Sequence, residues 1–320
     1  MKRTRIRELA VACGLAVIAV VFQLLSHGRF FSADEMSGAT NIAAAVGTIG
    51  IGVAFLMISG EFDLSVSAVY ALAPIIVAEL TAHGWPGGIA FFAAMTGAAA
   101  VGLVNGVITV QFRIPSFIAT LGTLFILTGL NFLWTGGYAL PLSSHAWIFT
   151  ILGGSLVSFF AMPFVWMILI GAGFWWVLER TRYGNWSLAS GSRNSAARAM
   201  GVPVARVKMI NFIACSALAG LAGCAQFAQL GVVSSGYGQN YNLLAIVAAV
   251  LGGTSLYGIT GSVAGTVIGA LILGTLETGL VLVGAPSSWY TSFVGVVLVL
   301  TVVFNTRFEW GALGAEGGQK

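Results

Sequence analysis

Between Lys208 and Arg307 the chain carries a single Asp, Glu, Lys or Arg, Glu277, and between Arg113 and Glu179 it carries none. From Glu35 to Arg113 only Glu61, Asp63 and Glu79 interrupt the uncharged sequence. Stretches of that length cannot cover a water-facing surface, which needs charged side chains throughout. With 8% charged and 58% hydrophobic residues over 320 positions and a mean hydropathy of +0.95, the chain reads as an integral membrane protein. That composition excludes intrinsic disorder, and a net charge of +4 provides no basic surface for nucleic acid. Cys13, Cys215 and Cys224 lie in apolar runs and form no C-x-x-C, so neither a disulfide framework nor a zinc site is indicated. No metal or cofactor is expected.

A bilayer core of roughly 30 Å is crossed by about 20 apolar residues in a helix, and about ten segments meet that pattern. They lie near 9–25, 38–58, 64–82, 86–110, 115–134, 161–178, 209–230, 243–258, 262–283 and 289–305. The runs are continuous rather than alternating in polarity, which favours helices over a barrel. The segment 243–258 is the least regular of the ten, interrupted by Gly252-Gly253-Thr254-Ser255, with a re-entrant or broken helix as its alternative. The expected fold is therefore all-α and polytopic, one transmembrane domain over 1–320. Lys2, Arg3, Arg5, Arg7, Arg113, the bases from Arg180 to Lys208, Arg307 and Lys320 all fall on one side of such a ten-span arrangement, and Arg29 alone falls on the other. By the positive-inside tendency both termini are cytoplasmic. The basic start before the first apolar run reads as a helix that stays rather than a cleaved signal, since removing it would break this parity.

The chain lacks the residues that several chemistries require. No G-x-x-x-x-G-K-[ST] is present to cradle ATP phosphates, and no H-E-x-x-H or G-x-S-x-G marks a hydrolase. The most informative segment is the loop 179–208. Within it Asn194 is placed to cap a short helix over Ser195–Met200, Gly201 to stop it in a left-handed turn, and Pro203 to prevent its continuation. Ala196, Ala197, Ala199 and Met200 are expected to face outward and pack into a groove on a partner, with Arg193 and Arg198 at the rim and Val202 beside the stop. A short basic helix that merely fixes topology is the plainer alternative.

This loop resembles the coupling segment of permease subunits of bacterial ATP-binding cassette (ABC) importers, in the ribose-type sugar permease family related to the branched-chain amino acid permeases. Glu61-Phe-Asp-Leu-Ser-Val66 is similar to that family's Gly-Ile-Asp-Leu-Ser-Val-Gly block. Asn105-Gly106, Ile114-Pro-Ser-Phe-Ile-Ala-Thr-Leu-Gly-Thr123, Leu251-Gly-Gly-Thr-Ser-Leu256 and Gly261–Ile272 resemble further blocks, in order. The sequence departs from the family at Glu61-Phe62, at Ser67 and at Glu277, and these departures bear on the substrate. The resemblance implies one transmembrane permease domain in the bacterial inner membrane, embedded in lipid and carrying no catalytic residue. It further implies an ABC ATPase subunit, a second permease as homodimer or paralogue, and a periplasmic sugar-binding protein. The expected solute is a monosaccharide or polyol. A branched-chain amino acid, and an ion-coupled carrier needing no ATPase, remain open alternatives.

Candidate pathway residues are those that a membrane interior makes costly or that suit a sugar: Asp63, Asn105, Phe117, Asn131 and Glu277. Each also has a structural reading. Asp63 can cap the following helix, the asparagines can join helices, and Phe117 can face lipid. Gly102 and Gly106, like Gly261, Gly265 and Gly269, recur every four residues and are expected to form flat faces for close helix packing.

Overall fold

The computed structural model describes residues 2–303 apart from 145, 158–159, 192–193, 257, 259, 287–288 and 302. The helices in chain order are α1 Lys2–Leu25, α2 Ala33–Ile58, α3 Val66–Ala82, α4 Gly87–Val110, α5 Ser116–Thr135 and α6 Trp147–Gly153. They continue with α7 Met162–Arg180, α8 Arg182–Ser190, α9 Asn194–Ala199, α10 Val204–Leu230, α11 Tyr241–Leu251, α12 Val263–Leu282 and α13 Trp289–Thr301. Two short antiparallel ribbons, Leu140–Pro141 with Val232–Val233 and Ser155–Val157 with Phe160–Ala161, are the strands among the described residues.

Each of the apolar segments read from the sequence coincides with a helix. Seven of these helices are long and apolar enough to cross a bilayer, while α3, α11 and α13 are shorter. Helix α11 corrects the reading of 243–258 as a full span. Its 11 residues rise about 16 Å, roughly half a bilayer core. The chain turns at Gly252-Gly253, where Gly253 N–H bonds to Val250 O and Thr254 N–H to Ala249 O and end the helix, which is the broken-helix alternative.

Helix α2 forms the axis of the bundle, with every residue from Ala43 to Ile58 buried. A helix apolar on all sides belongs in such a position. It packs against α7, α10, α11 and α12, while α3 packs against α10, α4 and α5. The glycine faces behave as their spacing suggests. Gly102 and Gly106 lie against Phe212 and Met209 of α10, Gly265 and Gly269 against the backbone of Gly252 and Ala248, and Gly261 against Ile58. Outside this core α1, α5 and α7 present Leu24, Phe125, Leu133 and Trp176 outward, side chains suited to lipid. The apolar stretch after α5 is no loose loop. Helix α6 buries Ile148, Phe149 and Leu152 against Phe227 and its neighbours and leaves Trp147 exposed.

Lys208 and the Arg113 turn lie at one end of the bundle. Lys208 at the start of α10 pairs with Glu61, and Ser116, next to the Arg113 turn, bonds to Phe62. At the same end Glu8 of α1 accepts the hydroxyl of Ser262. We refer to this end as the basic end.

Candidate functional site

Two helix breaks reach into the bundle from the basic end. The first begins where α2 stops at Gly60, whose φ of +81° suits glycine. Its N–H bonds to Met57 O at 2.8 Å, and the N–H of Glu61 returns to Leu56 O at 3.2 Å. From there the chain runs extended along α10. Glu61 meets Lys208 near the start of that helix, and Asp63 meets Ser216 near its middle, about 12 Å deeper at 1.5 Å per residue. Helix α3 therefore starts inside the bundle. The second break opens the same way, with Gly253 N–H on Val250 O and Thr254 N–H on Ala249 O, and closes when Ser262 accepts the N–H of Gly265 to start α12. Ser65-Val66 and Ser262-Val263 thus open two helices that follow similar interruptions.

The first break is tied down by side chains because an extended strand inside a membrane has no intrahelical partners for its backbone. Ser116 Oγ accepts the N–H of Phe62 at 3.1 Å, and Thr120 Oγ1 that of Leu64 at 3.1 Å, fastening the strand to α5. Asp63 is fully buried. Its Oδ1 accepts the N–H of Ser65 at 2.8 Å and the hydroxyl of Ser65 at 2.6 Å, and its Oδ2 accepts the hydroxyl of Ser216 at 3.3 Å. Asn105 places its amide 3.5 Å from both carboxylate oxygens, donates to Ser65 Oγ at 2.9 Å, and accepts from Thr123 at 2.7 Å. The capping role considered for Asp63 is realised one residue early, on Ser65 rather than within the first turn of α3.

The structure brings Asp63 and Asn105 together and separates the other three pathway candidates. Asn131 is buried and donates to Ala68 O at 3.0 Å. Phe117 is 56% exposed on the outer face of α5. Glu277 is half-buried on α12 beside Tyr241 and Tyr290. Tyr70 stacks on Tyr237 and meets Tyr241 at a tilt of 58°, each at a ring separation of 5.1 Å, and fills the interior next to the first break. Ser65, Ser116, Thr120 and Thr123 fall within the Glu61–Val66 and Ile114–Thr123 blocks that resemble the family, but neither they nor Ser216 stand out individually, because hydroxyl side chains are common in such helices.

The loop between α7 and α10 is more ordered than its sequence suggests. Thr181 caps α8 by accepting the N–H of Gly184 at 3.2 Å, and Tyr183 donates to Asn211 at 2.6 Å. The next helix, α9, ends as expected: Gly201 has φ +81°, its N–H bonds to Arg198 O at 2.9 Å, and Val202 N–H bonds to Ala197 O at 3.1 Å. This pair of bonds is the Schellman closure. Ala196, Arg198 and Ala199 are exposed, Met200 is 85% exposed and Val202 is half-buried. The expectation that Ala197 faces outward is corrected. It is 8% exposed, since a helix this short must turn one residue in each turn toward the bundle that carries it. Arg193 and the side chain of Asn194 lie outside the described residues.

Comparison with known proteins accounts for this layout. The family model described as branched-chain amino acid transport system / permease component matches residues 35–302. The ribose import permease protein of Escherichia coli K12 is 34% identical over 292 residues, covering 90% of each chain. The fructose import permease protein of Rhizobium meliloti is 30% identical over 91% of this chain and 83% of its own. The autoinducer 2 import system permease of Enterobacter is 32% identical over 96% and 89%. With that match spanning both helix breaks and the α8–α9 loop, this multi-pass inner-membrane chain belongs to the ribose-type permease family of ABC importers.

Proposed function

We propose that this chain is the membrane-spanning subunit of an ATP-driven importer for a monosaccharide or related polyol. The observation that carries the reading is α9, a capped helix at the basic end with Met200 open to solvent, in a chain with no nucleotide-binding motif. An ATPase subunit seats on Ala196, Arg198, Ala199 and Met200, and its closure moves the α8–α9 segment and shifts the bundle between inward- and outward-open states. A second permease copy or a paralogue completes the pathway, and a periplasmic binding protein delivers the solute. The fructose, ribose and autoinducer 2 transport named for the relatives favours a sugar over a branched-chain amino acid. Asp63 and Asn105 position the first break rather than touch solute, because both carboxylate oxygens of Asp63 already accept hydrogen bonds from the protein. Phe117, exposed on the outer face of α5, is the pathway candidate that a second copy would have to cover.

Met200→Asp should weaken association with a ribose-importer ATPase about tenfold or more, because it places a charge in the apolar centre of the docking surface. Co-purification of the tagged chain with that ATPase reads this directly. Retention of the ATPase by the variant removes α9 as the docking element. Uptake competed by ribose, fructose, xylose and leucine then assigns the solute class, and competition by leucine alone would place the chain with the amino acid carriers.

A further inference from the structure

The stretch from Gly191 to Lys208 carries α9, and both of its ends are fastened to the same two consecutive residues, Gly60 and Glu61. At the first end Gly191 closes α8 with its Cα 3.5 Å from the place a β-carbon on Gly60 would take. Gly258 of the second break completes the contact. A β-carbon there would lie 2.9 Å from Gly191 O and 3.3 Å from Gly60 Cα, so three backbones meet with no side chain between them. At the other end Lys208 Nζ stands 2.6 Å from Glu61 Oε1, with the two side chains 10% and 15% exposed.

This arrangement gives a displacement of the α9 segment a direct route to the first break. A contact between side chains absorbs a shift by changing rotamer, whereas backbone resting on backbone has no such freedom. An ion pair held mostly out of water also resists sliding, since separating it strands two desolvated charges. Beyond Glu61 the strand is bonded residue by residue to α5 through Ser116 and Thr120, and to α4 and α10 through Asp63.

We infer that Gly60–Glu61 is the receiving point for movement of the α9 segment, and that Glu61 and Lys208 are positioning residues that couple the ATPase to the α3 and α5 helices. The inference rests on the docking reading above, and its test leaves that docking surface untouched. The experiment uses the chain purified with its ATPase and reconstituted in liposomes with the binding protein. It compares Glu61→Lys, Lys208→Glu and the two combined. Each single variant should retain the ATPase subunit and its basal ATP hydrolysis, yet lose about tenfold in uptake per ATP hydrolysed, the scale of an allosteric coupling. The double variant restores the pair in reverse and should recover most of that ratio.

Gly258→Val, which crowds the three-backbone contact from the other side, should show the same loss with the ATPase still bound. It serves where a charge variant fails to accumulate. Uptake per ATP unchanged in the single variants or in Gly258→Val overturns the inference, as does a loss that the reversed pair fails to rescue. Loss of the ATPase from Met200→Asp alone speaks only to docking, so the two readings fail separately.

Discussion

Gly102→Leu should leave almost no folded protein. A β-carbon at Gly102 would lie 2.5 Å from the carbonyl oxygen of Phe212 and 2.8 Å from Ile213 Cα, so α4 would have to move bodily away from α10. Overpacking a core typically costs about 1–3 kcal/mol, and more where the obstacle is backbone that cannot change rotamer. We expect a cost at or above the upper end of that range. It would be read as loss of the monodisperse peak in detergent and a lowered thermal midpoint. Gly129→Leu is the matched control. It makes the same substitution in α5, where nothing lies within 4 Å of the added atom, and it should leave the isolated chain as stable as the original. Equal behaviour of the two variants would contradict the packing assigned to α4 and α10.

Asp63→Ala should abolish uptake and lower stability by about 3 kcal/mol or more. The carboxylate accepts the N–H and hydroxyl of Ser65 and the hydroxyl of Ser216, and it lies within reach of the Asn105 amide. Each buried donor left without an acceptor costs about 1–3 kcal/mol, and the Ser65 N–H, fixed by the backbone, cannot turn elsewhere. Asp63→Asn keeps one acceptor oxygen but turns an amide toward the Asn105 amide, and should fall between the two. Thermal unfolding in detergent, measured with uptake in cells, separates the cases. An Asp63→Ala chain that unfolds and transports like the original would show that the first break does not depend on this cluster.

What was legible in the sequence is what a membrane makes local. A helix crossing a bilayer must satisfy its own backbone and shed its charges, so the segments that became α2, α4, α5 and α12 could be read from residue type and run length alone. The glycine faces and the left-handed stop at Gly201 are local for the same reason. The remainder depends on what lies opposite. Helix α8 contains Gly184 and little apolar sequence, and it forms because the chain folds back against α10 through Tyr183 and Asn211. Ala197 could not be distinguished from its exposed neighbours without knowing how α9 sits on the bundle. The contacts of Asp63 with Asn105 and Ser216, and of Glu61 with Lys208, join residues 42, 153 and 147 positions apart, beyond the reach of any local pattern. One signal did exist for the last of these. Glu61 and Lys208 are an acid and a base that each sit at the edge of an apolar span, where a charge needs a partner.

Solute is expected to move through this chain only when an ATPase works on α9. The most direct measurement is uptake into liposomes holding the chain with its ATPase and binding protein, with ATP supplied or withheld and with ionophores that collapse proton and sodium gradients. The account predicts uptake that requires ATP and the ATPase subunit, is lost with Met200→Asp, and is indifferent to the ionophores. Uptake by the chain alone that needs no ATP, collapses with the gradient and disappears in Glu277→Gln would contradict it and identify an ion-coupled carrier.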